Sequence, residues 1–111
     1  MKAIYTFGAQ PAQRTVTIRC MRDAKAAGRK LVQTTANTAE EARAVAAAGI
    51  EMMICDAANA HIVRAANQTT FCTAAIKLTE HPTSDDILRE AFRVLHLGVD
   101  AIITPRSFKT I

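Results

Sequence analysis

The sequence has no tryptophan, one tyrosine and four phenylalanines in 111 residues. A core built on aromatic stacking is therefore excluded, and the apolar half of the chain has to pack through aliphatic side chains. Clustered glycines are missing as well. Gly8, Gly28, Gly49 and Gly98 stand far apart, in neither a G-x-G-x-x-G nor a P-loop pattern, which argues against a nucleotide cofactor held by such a loop. No apolar stretch reaches the roughly 18 residues that a membrane span needs, and the amino terminus lacks a signal-peptide core. The expectation is a soluble, cytoplasmic protein with no membrane partner. The cysteines are few and odd in number, Cys20, Cys55 and Cys72; their spacing is not that of a metal site, and they read as reduced residues of an apolar interior. Charge of one sign is only mildly in excess, 14 basic against 10 acidic residues for a net +4, with no basic run or interleaved aromatics. Nucleic acid is a poor partner for such a surface, and a small anion a better one.

What is present is a repeated grammar of strand and helix. Residues 14–28, RTVTIRCMRDAKAAG, place Val16, Ile18, Met21 and Ala24 at roughly helical spacing and stop at Gly28, a residue suited to a left-handed C-cap. A β-prone run, Lys30 to Thr35, follows; Thr38 and Glu41 then have the spacing of a capping box for a helix from Thr38 to Ala48, which ends at Gly49. Met52-Met53-Ile54-Cys55 is nearly continuous in apolar character, as a strand buried on both faces would be. A short helix over Ala57 to Asn67, a strand over Phe71 to Leu78 and a helix capped by Ser84 and ending at Gly98 complete the series. The hexapeptides Gly49 to Ile54 and Gly98 to Ile103 match in residue type, one pattern repeated 49 residues later, or about two βα units.

Alternating strands and helices imply parallel pairing. The expected fold class is therefore α/β, a single domain of parallel β/α units resembling the N-terminal half of a (β/α)8 TIM barrel. The chain stops just past the fourth strand segment, so the barrel is expected to be incomplete. The sheet face away from the helices then needs cover, at about 25 cal/mol per Å² of exposed apolar surface. A second half in a longer product, a homo-oligomer, or a rearranged sheet with helices on both faces would each supply it. The strand-like segment Met1 to Phe7 is expected to add cover or an edge.

In such folds chemistry gathers at the carboxyl ends of the strands. This sequence offers Thr34 and Thr35 there, then Asp56, Lys77, and finally Arg106 with Ser107 and Lys109. Asp56 is either a ligand for a divalent metal or the cap of the helix that begins at Ala57. Lys77 either pairs with an acidic substrate or extends to solvent. Arg106, Ser107 and Lys109 combine positive charge with donors and form the best anion-site candidate. His61, His81 and His96 lie far apart with no evident carboxylate or cysteine partner, which gives a triad or zinc site little support.

The stretch Arg14-Thr15-Val16 with its short helix, followed by Gly28 to Ala36, resembles the opening of the ketopantoate hydroxymethyltransferases, in the phosphoenolpyruvate mutase and isocitrate lyase superfamily. The order of elements continues to match through Gly49 to Asp56 and Gly98 to Arg106. The resemblance implies a magnesium-dependent barrel that adds a one-carbon unit to a 2-oxo acid, in pantothenate biosynthesis. It implies Asp56 as the Mg2+ ligand, displaced by about one residue; Thr35, Lys77, Arg106 and Ser107, read from the strand ends, are the candidates for contacting a small anionic 2-oxo acid. This sequence departs from the family pattern elsewhere. The third-strand aspartate falls at Ala75, the fourth-strand lysine and glutamate at Ile103 and Pro105, the serine after the second-strand aspartate at Ala57, and the aspartate after the first strand at Asn37 or Thr38. A metal-stabilised enolate needs carboxylates for the metal and a base for the carbon acid, so the expectation is a divergent or truncated relative with a degenerate metal site. A lyase of the same superfamily and a non-catalytic binding or oligomerisation module are the alternatives.

Overall fold

Glycine and threonine punctuate the chain where the backbone changes direction. The computed structural model describes residues 4–105. A hairpin of β1 (Ile4–Tyr5) and β2 (Pro11–Ala12) leads into α1 (Ile18–Ala27), β3 (Gln33–Thr35), α2 (Ala39–Ala48) and β4 (Met52–Asp56). A single 3-10 turn (Ala57–Asn59), α3 (Ala60–Ala66), β5 (Phe71–Ala75), α4 (Ser84–His96) and β6 (Ala101–Ile103) follow. The α1 and α2 helices end at Gly28 and Gly49 with φ of 72° and 73°, left-handed conformations that cost glycine little. Thr38 accepts a hydrogen bond from the Glu41 amide, as its spacing predicts; the Glu41 carboxylate reaches the Asn37 amide.

The β3 to β6 strands form one parallel sheet in sequence order. This is the α/β architecture of alternating units that the sequence predicts, and the four-stranded sheet is open. Alternation along β4 and β5 sends Met53, Cys55, Cys72 and Ala74 to one side, where they meet Ala42 and Val45 of α2, Val63 of α3, and Ile87 and Val94 of α4 in a single buried cluster. Side chains two apart share a face in a strand, so Met52, Ile54 and Asp56 with Phe71, Thr73 and Ala75 lie on the opposite face. Phe71 is buried there and the other five are half-buried.

Four expectations are corrected. Helix α1 begins at Ile18, with Thr17 as its cap; Arg14 and Val16 are buried ahead of it. The cap of α4 is Thr83, not Ser84: Thr83 accepts from the Asp86 amide and the Asp86 carboxylate accepts from the Thr83 amide, a reciprocal arrangement for which Ser84 stands one residue too late. The strand predicted over Phe71 to Leu78 stops at Ala75. The amino-terminal strand neither covers nor edges the main sheet. It pairs antiparallel with Pro11–Ala12 in a sheet of its own, and Phe7 beyond it packs on Phe92 and His96 of α4.

Candidate functional site

Parallel strands in register bring their carboxyl ends to one rim. Asp56 and Ala75 are neighbours across β4 and β5, and Ile103 continues the row. Lys77, two residues past β5, places Nζ 3.4 Å from Oδ2 of Asp56. This pair takes the place of the helix cap: Asp56 precedes the 3-10 turn, yet its side chain makes no capping hydrogen bond. Its amide instead donates to Oδ1 of Asn37, which also accepts from Nδ2 of Asn59. An asparagine from the β3–α2 loop thus fixes the backbone that carries Asp56. The sequence reading placed the family's lost aspartate at Asn37 or Thr38 but gave Asn37 no role.

Beside this pair lies a hollow of about 580 Å3 lined by Ile54, Ala75, Lys77, Leu78, Ile103 and Thr104, among others. Its walls are largely apolar, with the Lys77 ammonium as the cationic group. Thr104 Oγ1 is buried and has no hydrogen-bond partner, a donor and acceptor held against an apolar wall. Thr35 is exposed at the end of β3. Arg106, Ser107 and Lys109 lie outside the described residues. Among the described residues no group of three His, Cys, Asp or Glu side chains could hold a metal ion. Asp56 alone fits the looser manner in which Mg2+ is held, by one or two carboxylates with substrate and water completing the shell, and a metal there would have to displace Lys77.

The opposite, amino-terminal pole carries a cluster that the sequence reading missed. Arg14 Nε donates to both oxygens of Asp100 at 2.9 and 2.8 Å, and Arg64 Nη2 lies 3.4 Å from Oδ2. Asp100 also accepts from the Cys72 amide. Arg14 further donates to the carbonyls of Gln13, Gln68 and Gly98, and Arg64 to those of Asn67 and Thr70. Gly98, whose carbonyl accepts from Arg14, has a φ of 103°, a conformation that side chains rarely adopt. The available signal was the repeat, because Asp100 occupies the position of Glu51. Glu51 pairs with Arg29 on the surface, at 3.1 Å.

Cys55 and Cys72 are fully buried on the helix-facing side with sulfurs 3.8 Å apart. Cys72 is held below the ordinary thiol value by the Cys55 S–H and the Arg64 charge, and Cys55 is correspondingly raised. Burial lowers the Arg64 guanidinium from its usual range. Cys20 departs from the core expectation, being half-buried in the first turn of α1, where the Thr17 hydroxyl lowers its thiol. His81 does meet a carboxylate, Glu90, with Nε2 at 3.6 Å from Oε2, but Glu90 is already engaged by Arg93. No described helix is long and apolar enough to cross a membrane.

No family model, curated protein or solved structure matches this chain. Its functional reading rests on its own residues.

Proposed function

We propose that this chain supplies four of the strands of a β/α barrel whose carboxyl rim takes a small 2-oxo acid, in the manner of a hydroxymethyltransferase with a reduced metal site. The observation that carries the reading is the Asp56–Lys77 pair, 3.4 Å apart at the carboxyl ends of adjacent parallel strands and beside an apolar hollow. A 2-oxo acid has a carboxylate for the Lys77 ammonium and a short aliphatic body for Ile54, Ala75 and Ile103. Burial of two or three methyl or methylene groups contributes about 2 kcal/mol. The charged contact is exposed, with Lys77 half open to solvent, and adds at most about 1 kcal/mol. Affinity in the millimolar range follows. Carbon–carbon bond formation needs in addition a base for the carbon acid and charge stabilisation for the enolate. Binding with little or no turnover is the role this chain's own residues support.

Calorimetry with 3-methyl-2-oxobutanoate, with and without Mg2+, tests this on the wild type, Lys77→Met and Asp56→Ala. An affinity lowered by up to about fivefold in Lys77→Met supports the oxo-acid site, and Mg2+ heat that requires both the acid and Asp56 supports the metal. No heat in any combination rejects the reading.

A second reading, an assembly module, is favoured by a separate observation. Among the described residues β3 and β6 are the sheet edges, and the face away from the helices presents Met52, Ile54, Ala75 and an exposed Ile103. Concentration-dependent sedimentation with no oxo-acid binding would select it.

A further inference from the structure

We infer that the amino-terminal pole of the sheet is a second, independent anion site, built for the phosphate group of a small polar metabolite. The first ground is charge. Two guanidiniums, with side chains only 4% and 7% exposed, share the single carboxylate of Asp100. Their remaining partners are neutral main-chain carbonyls and, beside Arg64, the Cys72 thiol, which hold the groups in place. One positive charge is left over in a nearly buried setting, where it is weakly screened. Arg64 Nε is buried and has no partner within the protein.

The second ground is the space beside the cluster. A cleft of about 810 Å3 opens between the β1–β2 hairpin, α3 and the end of α4, within the size range of small-molecule sites. Arg14 and Arg64 line it, along with His61, Gln10, Gln13 and Gln68. Two threonines, Thr6 and Thr69, also contribute, and no aspartate or glutamate does. A cleft whose charged side chains are of one sign concentrates counter-ions, and amide and hydroxyl donors suit phosphate oxygens and the hydroxyls of the body attached to them. The hairpin that forms one wall is held in a tight turn, with the Ala9 amide donating to the Thr6 carbonyl and Ala9 at φ 62°. A non-glycine residue in that conformation is costly and persists where its surroundings fix it.

Inorganic phosphate, ribose 5-phosphate and ribose, titrated at constant ionic strength into 15N-labelled protein, test the site. The expected result is saturable shift changes confined to Gln68, Thr69, Gly98 and the hairpin, with ribose 5-phosphate tighter than phosphate and ribose without effect. Gln68→Glu, at an exposed position, puts a carboxylate into the cleft and should weaken phosphate binding by about fivefold or more, the worth of one nearby charge, while the spectrum remains that of a folded protein. Lys30→Gln removes the same unit of charge in the α1–β3 loop and should leave the affinity unchanged. Shifts that never saturate, an equal response to ribose, or equal losses in the two variants would overturn the proposal and leave the cluster as a structural clamp. The oxo-acid site at the other pole can fail without affecting this outcome.

Discussion

Replacing Asp100 by Asn removes one charge and almost no volume from the amino-terminal pole. Asp100 accepts from Arg14, Arg64 and the Cys72 amide, so its loss leaves two nearly buried guanidiniums with carbonyls alone for compensation. Breaking a buried pair by removing one partner costs about 3–5 kcal/mol, against total stabilities of about 5–15 kcal/mol for native domains. With a urea slope near 2 kcal/mol/M, the unfolding midpoint should fall by about 1.5–2.5 M. The repeat provides an internal control. Glu51 occupies the equivalent position, but its partner Arg29 is more than half exposed, and Glu51→Gln should cost under about 1 kcal/mol. Equilibrium urea unfolding followed by circular dichroism measures both. A shift for Asp100→Asn no larger than that for Glu51→Gln would refute the reading that Asp100 compensates two buried guanidiniums.

Three further outcomes are expected. Arg93 and its hydrogen bond hold the Glu90 carboxyl below its usual value of 4.5; a depressed folded value adds stability above the unfolded pKa and loses it as pH falls through the folded one. Glu90→Gln should therefore be less stable than wild type by at most about 1 kcal/mol near neutrality, the difference closing below pH 4.5 in a series of unfolding curves; a gap independent of pH would contradict the pairing. Under native conditions an aromatic disulfide reagent should modify Cys20 quickly and leave Cys55 and Cys72 until the protein unfolds, with peptide mass mapping identifying the order. Met53→Ala, which empties a fully buried position of the helix-facing core, should cost about 2–5 kcal/mol by the same urea assay.

Local signals carried the fold a long way. Gly28 and Gly49 end their helices and Thr38 starts one because each motif is complete within a few residues. The apolar run Met52 to Cys55 is a central strand for the same reason. Ser84 and Thr83 compete for one cap, and only the placement of Asp86 three residues after Thr83 decides between them. The segment Met1 to Phe7 was expected to cover or edge the main sheet, and its pairing with Pro11–Ala12 went unread because two-residue strands have no periodicity to measure. At the carboxyl rim Asp56 and Lys77 were legible as residues, since strand ends follow from the pattern. Their contact with each other was not, because it depends on the β4–β5 register. The Arg14–Arg64–Asp100 cluster joins three distant segments, and no local pattern encodes such a meeting. An arginine ahead of a helix and another inside an apolar one were its only traces.

The most direct test of the proposed function is to locate a bound oxo acid. Titrating 3-methyl-2-oxobutanoate into 15N-labelled protein should give saturable shifts in Asp56, Ile76, Lys77 and Thr104 at the carboxyl ends of β4, β5 and β6, and Lys77→Met should weaken the affinity by up to about fivefold. Shifts spread over the surface, or an affinity unchanged in Lys77→Met, would contradict the carboxyl rim as the binding site.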